Sequence, residues 1–126
     1  MGYTDVHAHF LPGVDDGPAT LVAALDAVRT AVEGGTSVAF ATPHISRTAP
    51  FSPDRRRLIA KRYALVQEAI EQARLPLDLR LGYEVTPWSE LLDVDPHSLR
   101  LGDLPFVLVD CPFVGWRDEM GPFLDH

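Results

Sequence analysis

The chain alternates short apolar runs typical of β-strands with longer amphipathic segments typical of α-helices, and this order constrains the fold most. A strand is predicted over Tyr3 to Ala8, and TLVAALDAVRTAVEGG then carries apolar residues at helical spacing before a Gly34-Gly35 stop. The next strand, SVAFATPH, precedes a helix with a Ser52 cap and Pro53 at its first position. Repeated strand–helix units predict an α/β fold with a parallel sheet.

Two further strands complete the predicted order. LDLRLGYE is the third, and LPFVLVDCPF is the fourth. The fourth is almost continuously apolar, as expected for a parallel strand that is covered on both faces. With 126 residues and 46% hydrophobic content, the chain is long enough for a core, and residues 1–126 are predicted to form a single domain.

Composition excludes several classes of function. The net charge is −7, so nucleic acid is not an expected partner. The single cysteine, Cys111, cannot form an internal disulfide, and the sequence has neither a signal-peptide pattern nor an apolar run long enough to span a membrane. A cytoplasmic protein without membrane insertion is therefore expected.

Polar side chains of metal-ligand type follow each predicted strand. Because the carboxyl ends of parallel strands share one rim, these side chains are expected to converge. Imidazoles and carboxylates together suit Zn²⁺, Mn²⁺ or Fe²⁺. The predicted set comprises His7 and His9 at the end of the first strand, Asp16 in a turn with Gly17, His44 at the end of the second strand, Glu84 at the end of the third and Asp110 at the end of the fourth.

Each of these residues also has a purely structural interpretation. A lone His-x-His pair more often binds no metal, and His44 after Thr42-Pro43 could cap the next segment. Glu84 could cap the turn TPWSELL, although a carboxylate directly after an apolar strand is costly unless it is paired or ligated. Asp110, at the end of FVLV, is the hardest to explain as structure.

Four other polar residues are assigned lesser roles. Asp15 is expected to bind turn amides, and Asp5 to orient a histidine as an outer partner. His97, in the polar loop DVDPHSLR, and His126, at the end of the sequence, are expected to be solvated.

The segments DVHAHFLPGVDDGP, ATPH, GYE and FVLVDCPF, in this order, resemble the PHP superfamily, and specifically the bacterial capsule and exopolysaccharide tyrosine phosphatases of the CpsB/CapC type. The resemblance implies a distorted (βα)₇ barrel whose rim holds divalent metals, with Mn²⁺ the first expectation and Fe²⁺ or Zn²⁺ the alternatives. By matching position it implies the ligands His7, His9, Asp16, His44 and Glu84, with Asp110 where relatives usually carry a glutamate.

The function implied is that of a metal-dependent phosphoesterase acting in capsule or exopolysaccharide regulation. A metal-activated hydroxide would hydrolyse phosphotyrosine, for example in the C-terminal tail of a bacterial tyrosine kinase. Arg47, three residues after His44, is the candidate catalytic contact to phosphate, with Arg117 as a second cation. A solvated loop arginine is the alternative interpretation of Arg47.

The chain is shorter than such a barrel, because closed parallel barrels usually need about 250 residues. It is therefore expected to represent the N-terminal half, as a fragment or a split relative, and to self-associate through open sheet edges. Two alternatives remain open: a metal-binding or kinase-interacting remnant without turnover, and another PHP phosphoesterase such as a histidinol-phosphatase-like enzyme.

A different phosphatase chemistry is suggested by CPFVGWR, which satisfies Cys-x₅-Arg. That loop works by aiming backbone N–H groups at phosphate, and Pro112 has none. No histidine lies beside Cys111 to favour the thiolate. Cys111 is therefore predicted to be a core residue.

Overall fold

The computed structural model describes residues 2–88, 91 and 94–110. Strands and helices alternate along the chain, as the sequence predicts. The elements are β1 (Tyr3–Ala8), α1 (Leu21–Glu33), β2 (Thr36–Ala41), β3 (His44–Ile45), α2 (Pro53–Gln72), β4 (Asp78–Leu81), β5 (Glu84–Val85), a short 3₁₀ helix (Pro96–Leu99) and β6 (Leu108–Val109).

The strands form two three-stranded sheets, and every pairing is parallel. One sheet has the order β1-β2-β4 and the other has the order β3-β5-β6. The predicted α/β fold with parallel strands is thus confirmed. Two residues separate β2 from β3, and two residues separate β4 from β5. The second sheet therefore lies at the carboxyl ends of the first.

The second and third predicted strands are each divided in two. Pro43 interrupts the second predicted strand, since proline has no N–H to donate to a ladder. Gly82 interrupts the other, where a Cβ atom would lie 2.5 Å from the Leu101 Cδ2 atom. His44 and Glu84 therefore begin β3 and β5 and pair with each other in register, instead of ending the longer strands.

The fourth strand is much shorter than predicted. The Leu101 amide donates to the Phe106 carbonyl at 2.9 Å, so the chain is still turning there and β6 covers only Leu108–Val109. Phe106 is 63% exposed, which contradicts a strand covered on both faces from Leu104 onward. The Cys111 loop, Arg117 and His126 lie outside the described residues.

α1 ends at the predicted Gly34-Gly35 stop, and α2 begins directly after the predicted Ser52 cap. The Thr20 hydroxyl accepts from the Ala23 amide and the Ser52 hydroxyl accepts from the Arg55 amide, and each bond satisfies a free N–H of the first turn. α1 ends before Gly35, whose φ of +100° favours glycine.

The hydrophobic core lies between these two helices and the sheets. Buried apolar side chains come from both layers and contact one another, which fixes the carboxyl ends of the strands in place; they include Val28, Ala39, Ile45, Ile59, Val66, Leu79 and Val85. Within the described part of the chain, neither α1 nor α2 has the combination of length and apolar content that a bilayer-spanning helix requires.

Candidate metal centre

The two histidines at the end of β1, His7 in the strand and His9 directly after it, are positioned by a buried threonine. Thr42 donates its amide to the Ala8 carbonyl at 2.8 Å, and its hydroxyl accepts from the Ala8 amide at 3.1 Å. Ala8 lies between His7 and His9, so this anchor fixes both. Their Nε2 atoms lie 3.1 Å apart.

Glu84 lies at the centre of three imidazole rings. Its Oε1 atom is 3.1 Å from His7 Nε2, 3.2 Å from His9 Nε2 and 3.1 Å from His44 Nδ1. The side chain is only 8% exposed, yet Oε1 makes no hydrogen bond, because none of these close approaches has hydrogen-bond geometry. A buried carboxylate oxygen is costly to leave unsatisfied, and donor atoms gathered around one point are what a cation site requires.

A second set of donor atoms lies beside the first. His9, Asp15, Asp16 and His44 each offer a ligand atom within 4.8 Å of the others, and the same holds for His7, His9 and Glu84. We refer to His7, His9 and Glu84 as the strand group, and to His9, Asp15, Asp16 and His44 as the loop group. His9 belongs to both, so the two groups are adjacent.

The loop group depends on a tight turn between β1 and α1. Asp15 accepts from the Gly17 amide at 2.9 Å, and the Asp16 Oδ1 atom lies 3.3 Å from His44 Nε2. A Cβ atom at Gly17 would lie 2.8 Å from the His9 carbonyl oxygen, so only glycine allows this approach. The Asp16 side chain is 79% exposed and can reach a bound ion from the solvent side.

Asp15 orients His9 and connects the loop to β3. Its Oδ2 atom lies 3.0 Å from His9 Nδ1 and accepts from the His44 amide at 3.3 Å. With the proton of a neutral His9 on Nδ1, the lone pair of Nε2 faces Glu84. A histidine whose second nitrogen bonds a carboxylate is the usual arrangement of a metal-ligating imidazole.

The same contact sets the ionisation of both partners. The hydrogen bond to Asp15 raises the pKa of His9, and this effect outweighs burial, which lowers it. Burial raises the pKa of Asp15, but its hydrogen bonds to His9 and to the Gly17 amide prevail and lower it overall. Asp15 is therefore a carboxylate at neutral pH, ready to accept from His9.

The structure brings five of the six predicted ligand residues together. Asp110 is in neither group of donors among the described residues; its Oδ2 atom accepts from the Thr86 hydroxyl at 3.1 Å. The five that meet are His7, His9, Asp16, His44 and Glu84.

The remaining predicted residues lie around or away from this centre. Arg47 is exposed, in a turn closed by hydrogen bonds between Ser46 and Ala49. Asp5 accepts from the His7 backbone amide rather than from an imidazole, so the orienting carboxylate is Asp15 and not Asp5. His97 is exposed, as predicted.

Sequence reasoning missed Arg55. This residue lies in the first turn of α2, and its guanidinium donates to the carbonyls of Val14 and His44 at 3.2 and 2.8 Å. The sequence does contain a sign of this role, because Arg55 is a positive charge in the first turn of a helix, where acidic residues are favoured.

Comparison with known proteins identifies the family of this chain. The family model described as "Capsular polysaccharide synthesis, CpsB/CapC" matches residues 3–113. The chain belongs to the CpsB/CapC family. The match includes every residue of the strand group and the loop group.

The chain is also similar in sequence to individual proteins, over part of their length. The tyrosine-protein phosphatase YwqE of Bacillus subtilis is 27% identical over 118 residues, covering 86% of this chain and 43% of YwqE. The tyrosine-protein phosphatase CpsB of Streptococcus agalactiae is 26% identical over 121 residues, covering 90% of this chain and 47% of CpsB. The chain thus spans about half the length of the curated relatives it matches.

A solved structure shares the fold. It comes from work on YwqE of Bacillus subtilis and CpsB of Streptococcus pneumoniae, described as metal-dependent tyrosine phosphatases. The superposition has a TM-score of 0.80 at 22% sequence identity, and covers 96% of this chain and 49% of that one. This match concerns the fold alone.

Proposed function

We propose that this chain supplies the metal-binding part of a tyrosine phosphatase, arranged as the N-terminal half of a (βα)₇ PHP barrel. The observation that carries the proposal is the buried Glu84 Oε1 atom, which lies within 3.2 Å of three imidazole nitrogens and makes no hydrogen bond. A divalent cation bound by His7, His9 and Glu84 would give this oxygen a partner.

The donor set fits divalent metals of the Mn²⁺, Fe²⁺ or Zn²⁺ type. The strand group would hold one ion, and the loop group would hold a second through His44 and Asp16. Bound there, such ions supply Lewis acidity to the phosphoryl oxygens and lower the pKa of water. Of these, Mn²⁺ is the native metal that we propose first, on the resemblance to the CpsB/CapC family.

The side chains of this chain would then perform distinct tasks. Asp15 keeps the proton of His9 on Nδ1 and so leaves Nε2 available as a ligand. Glu84 contributes the negative charge in the buried part of the site. Arg47 would contact the phosphate from the solvent side, and Asp110 would add a further oxygen ligand at the same rim.

The substrate we propose is a phosphotyrosine in a protein, by analogy with the relatives named tyrosine-protein phosphatase. We propose that this protein acts in the cytoplasm, on a bacterial tyrosine kinase with phosphotyrosines in its C-terminal tail. The family description, capsular polysaccharide synthesis, supports a role in capsule or exopolysaccharide regulation.

The test is hydrolysis of a phosphotyrosyl peptide by this chain or by its completed form, with a phosphoseryl peptide as the comparison. EDTA should abolish the hydrolysis, added Mn²⁺ should restore it, and Cys111→Ser should leave most of it intact. Loss of activity in Cys111→Ser together with resistance to EDTA would instead support the Cys-x₅-Arg loop as the catalytic centre.

The purified 126-residue chain alone is expected to be a poor catalyst. Both donor groups are open to solvent at His7 and Asp16, and preorganised charge in a site closed to water is usually the largest catalytic contribution. Hydrolysis should rise by orders of magnitude when the portion of YwqE that the match leaves uncovered is fused or added. Rapid, metal-dependent turnover by the monomeric chain alone would contradict this expectation.

A further inference from the structure

Arg55 connects two segments that carry candidate ligands and that are distant in sequence. Its Nη2 atom donates to the His44 carbonyl at 2.8 Å, and its Nη1 atom donates to the Val14 carbonyl at 3.2 Å. Val14 directly precedes Asp15 and Asp16, so one guanidinium bridges the turn of the loop group and β3. A planar fork of donors suits this bridge in a way that the single ammonium of lysine does not.

The backbone of His44 explains why such a bridge is needed. β3 is an outer strand of the sheet β3-β5-β6, and on its inner side the carbonyls of Pro43 and Ile45 accept from β5 and the residue after it. In a parallel ladder the groups of the intervening residue point to the other side. There the His44 amide donates to Asp15 and its carbonyl accepts from Arg55.

These contacts close a ring of hydrogen bonds around the loop group. Asp15 bonds the His44 amide, Arg55 bonds the His44 carbonyl, and Arg55 also bonds the carbonyl that precedes Asp15. The ring fixes how far the turn lies from β3. That spacing sets the 3.3 Å distance between the Asp16 Oδ1 atom and His44 Nε2.

Helix stability does not explain an arginine at this position. Arg55 lies in the first turn of α2, where a positive charge opposes the helix dipole. Its Nε atom is buried without a hydrogen-bond partner among the described residues. A residue that violates local preferences in this way is expected where function requires it.

We propose that Arg55 is a positioning residue for the loop group, holding the Asp15–Asp16 turn at the distance from His44 at which a second cation binds. This inference rests on the proposed function. It concerns the loop group selectively, because His7 and His9 are held by Thr42 and Glu84 is held by the pairing of β5 with β6. Both terminal nitrogens of Arg55 are engaged by carbonyls, so a direct phosphate contact is not its role.

The test is titration of the purified chain with Mn²⁺ by calorimetry and with Co²⁺ by visible absorbance, comparing Arg55→Met, Arg55→Lys and Arg57→Met. Arg57 is the matched control, since it lies in the same part of α2, is exposed and pairs with Asp54. Arg55→Met should lower the metal affinity of the weaker class of sites by roughly 10- to 100-fold, the usual loss when a residue that supports a metal ligand is removed. The affinity of the tighter class should not change. Arg55→Lys should show a smaller loss in the same class, and Arg57→Met should match the wild type.

Several outcomes would overturn the inference. The first is an unchanged affinity of the weaker class in Arg55→Met. The second is an equal loss of affinity in both classes, which would indicate that Arg55 supports the fold in general. The third is a single class of site in the wild type. If Arg55→Met does not fold, Arg55→Lys decides: a selective loss supports the inference and an unchanged titration overturns it. Failure of the proposed function is distinguishable, because the wild type would then bind neither ion.

Discussion

The two donor groups share His9 but are built in different ways. The strand group takes its ligands from β1 and β5, and its carboxylate, Glu84, is buried. The loop group takes its carboxylates from a turn, and the Asp16 side chain is 79% exposed. Strands fix side chains through their ladders, whereas a turn needs additional hydrogen bonds, here from Asp15, Gly17 and Arg55, to reach comparable precision. The strand group should therefore bind metal more tightly than the loop group.

The shared ligand gives the largest predicted effect. His9→Ala removes a donor from both groups and should lower the metal affinity of both. The loss should exceed the roughly 10- to 100-fold loss expected when a residue that only supports a metal ligand is removed. His7→Ala should weaken only the strand group, because His7 offers no ligand atom to the loop group. Equal losses in the two variants, measured by Mn²⁺ titration, would show that the groups do not act as two sites.

Glu84→Gln should lower metal affinity but increase the stability of the metal-free protein. The substitution removes the buried charge at the centre of the strand group, so the tighter metal class should be lost. In metal-free protein at alkaline pH it should raise the free energy of unfolding by about 1–3 kcal/mol, because it removes a buried charge whose Oε1 atom makes no hydrogen bond. A thermal melt in EDTA measures this, and a lower melting temperature for Glu84→Gln would contradict our account of this oxygen.

Asp15→Asn should have an intermediate effect. Asparagine keeps the bond to the Gly17 amide but cannot hold a positive or Nδ1-protonated His9 as a carboxylate does. Metal affinity should fall by roughly 10- to 100-fold in both groups, since His9 serves both. Calorimetric titration at pH 7.5 measures the loss, with Asp5→Asn as a control in which affinity is unchanged. An Asp15→Asn titration equal to wild type would exclude the orienting role.

The smallest effect is a shift with pH. Protonated His9 cannot bind a cation, so metal affinity should rise as pH increases through its pKa, which the hydrogen bond to Asp15 places above the ordinary 6.5. Metal-free stability should change in the opposite direction. The contribution of the His9–Asp15 bond is complete below the unfolded-state pKa and is lost as pH rises through the folded-state value. Titrations in Asp15→Asn should have a lower midpoint, and an unchanged midpoint would refute this cause.

Most of the fold follows from local patterns in the sequence. The helix boundaries come from the Ser52 and Thr20 caps and from the Gly34-Gly35 stop, which act within a few residues. The division of two strands could not be predicted as easily, because the break at Gly82 depends on its approach to Leu101 in space. The shortness of β6 has the same origin, since the Leu101–Phe106 hydrogen bond delays the strand.

The candidate site could be predicted in part for a related reason. Residues at the ends of parallel strands meet at one rim, so His7, His9, His44 and Glu84 were identifiable from their positions. The partners that orient them were not, because Asp15 and Arg55 act through hydrogen bonds to groups 6 to 41 residues away. Side chains of this kind match no motif, and only the three-dimensional structure shows them.

The central claim is that the imidazoles and carboxylates at this rim bind divalent metal. Elemental analysis of the chain purified without chelator tests it most directly, with wild type compared with the His7→Ala, His9→Ala double variant and with His97→Ala. His97 is exposed in the 3₁₀ helix and controls for adventitious binding to a histidine. We predict bound transition metal in the wild type and in His97→Ala, and its loss in the double variant. Equal metal content in all three proteins would contradict the account.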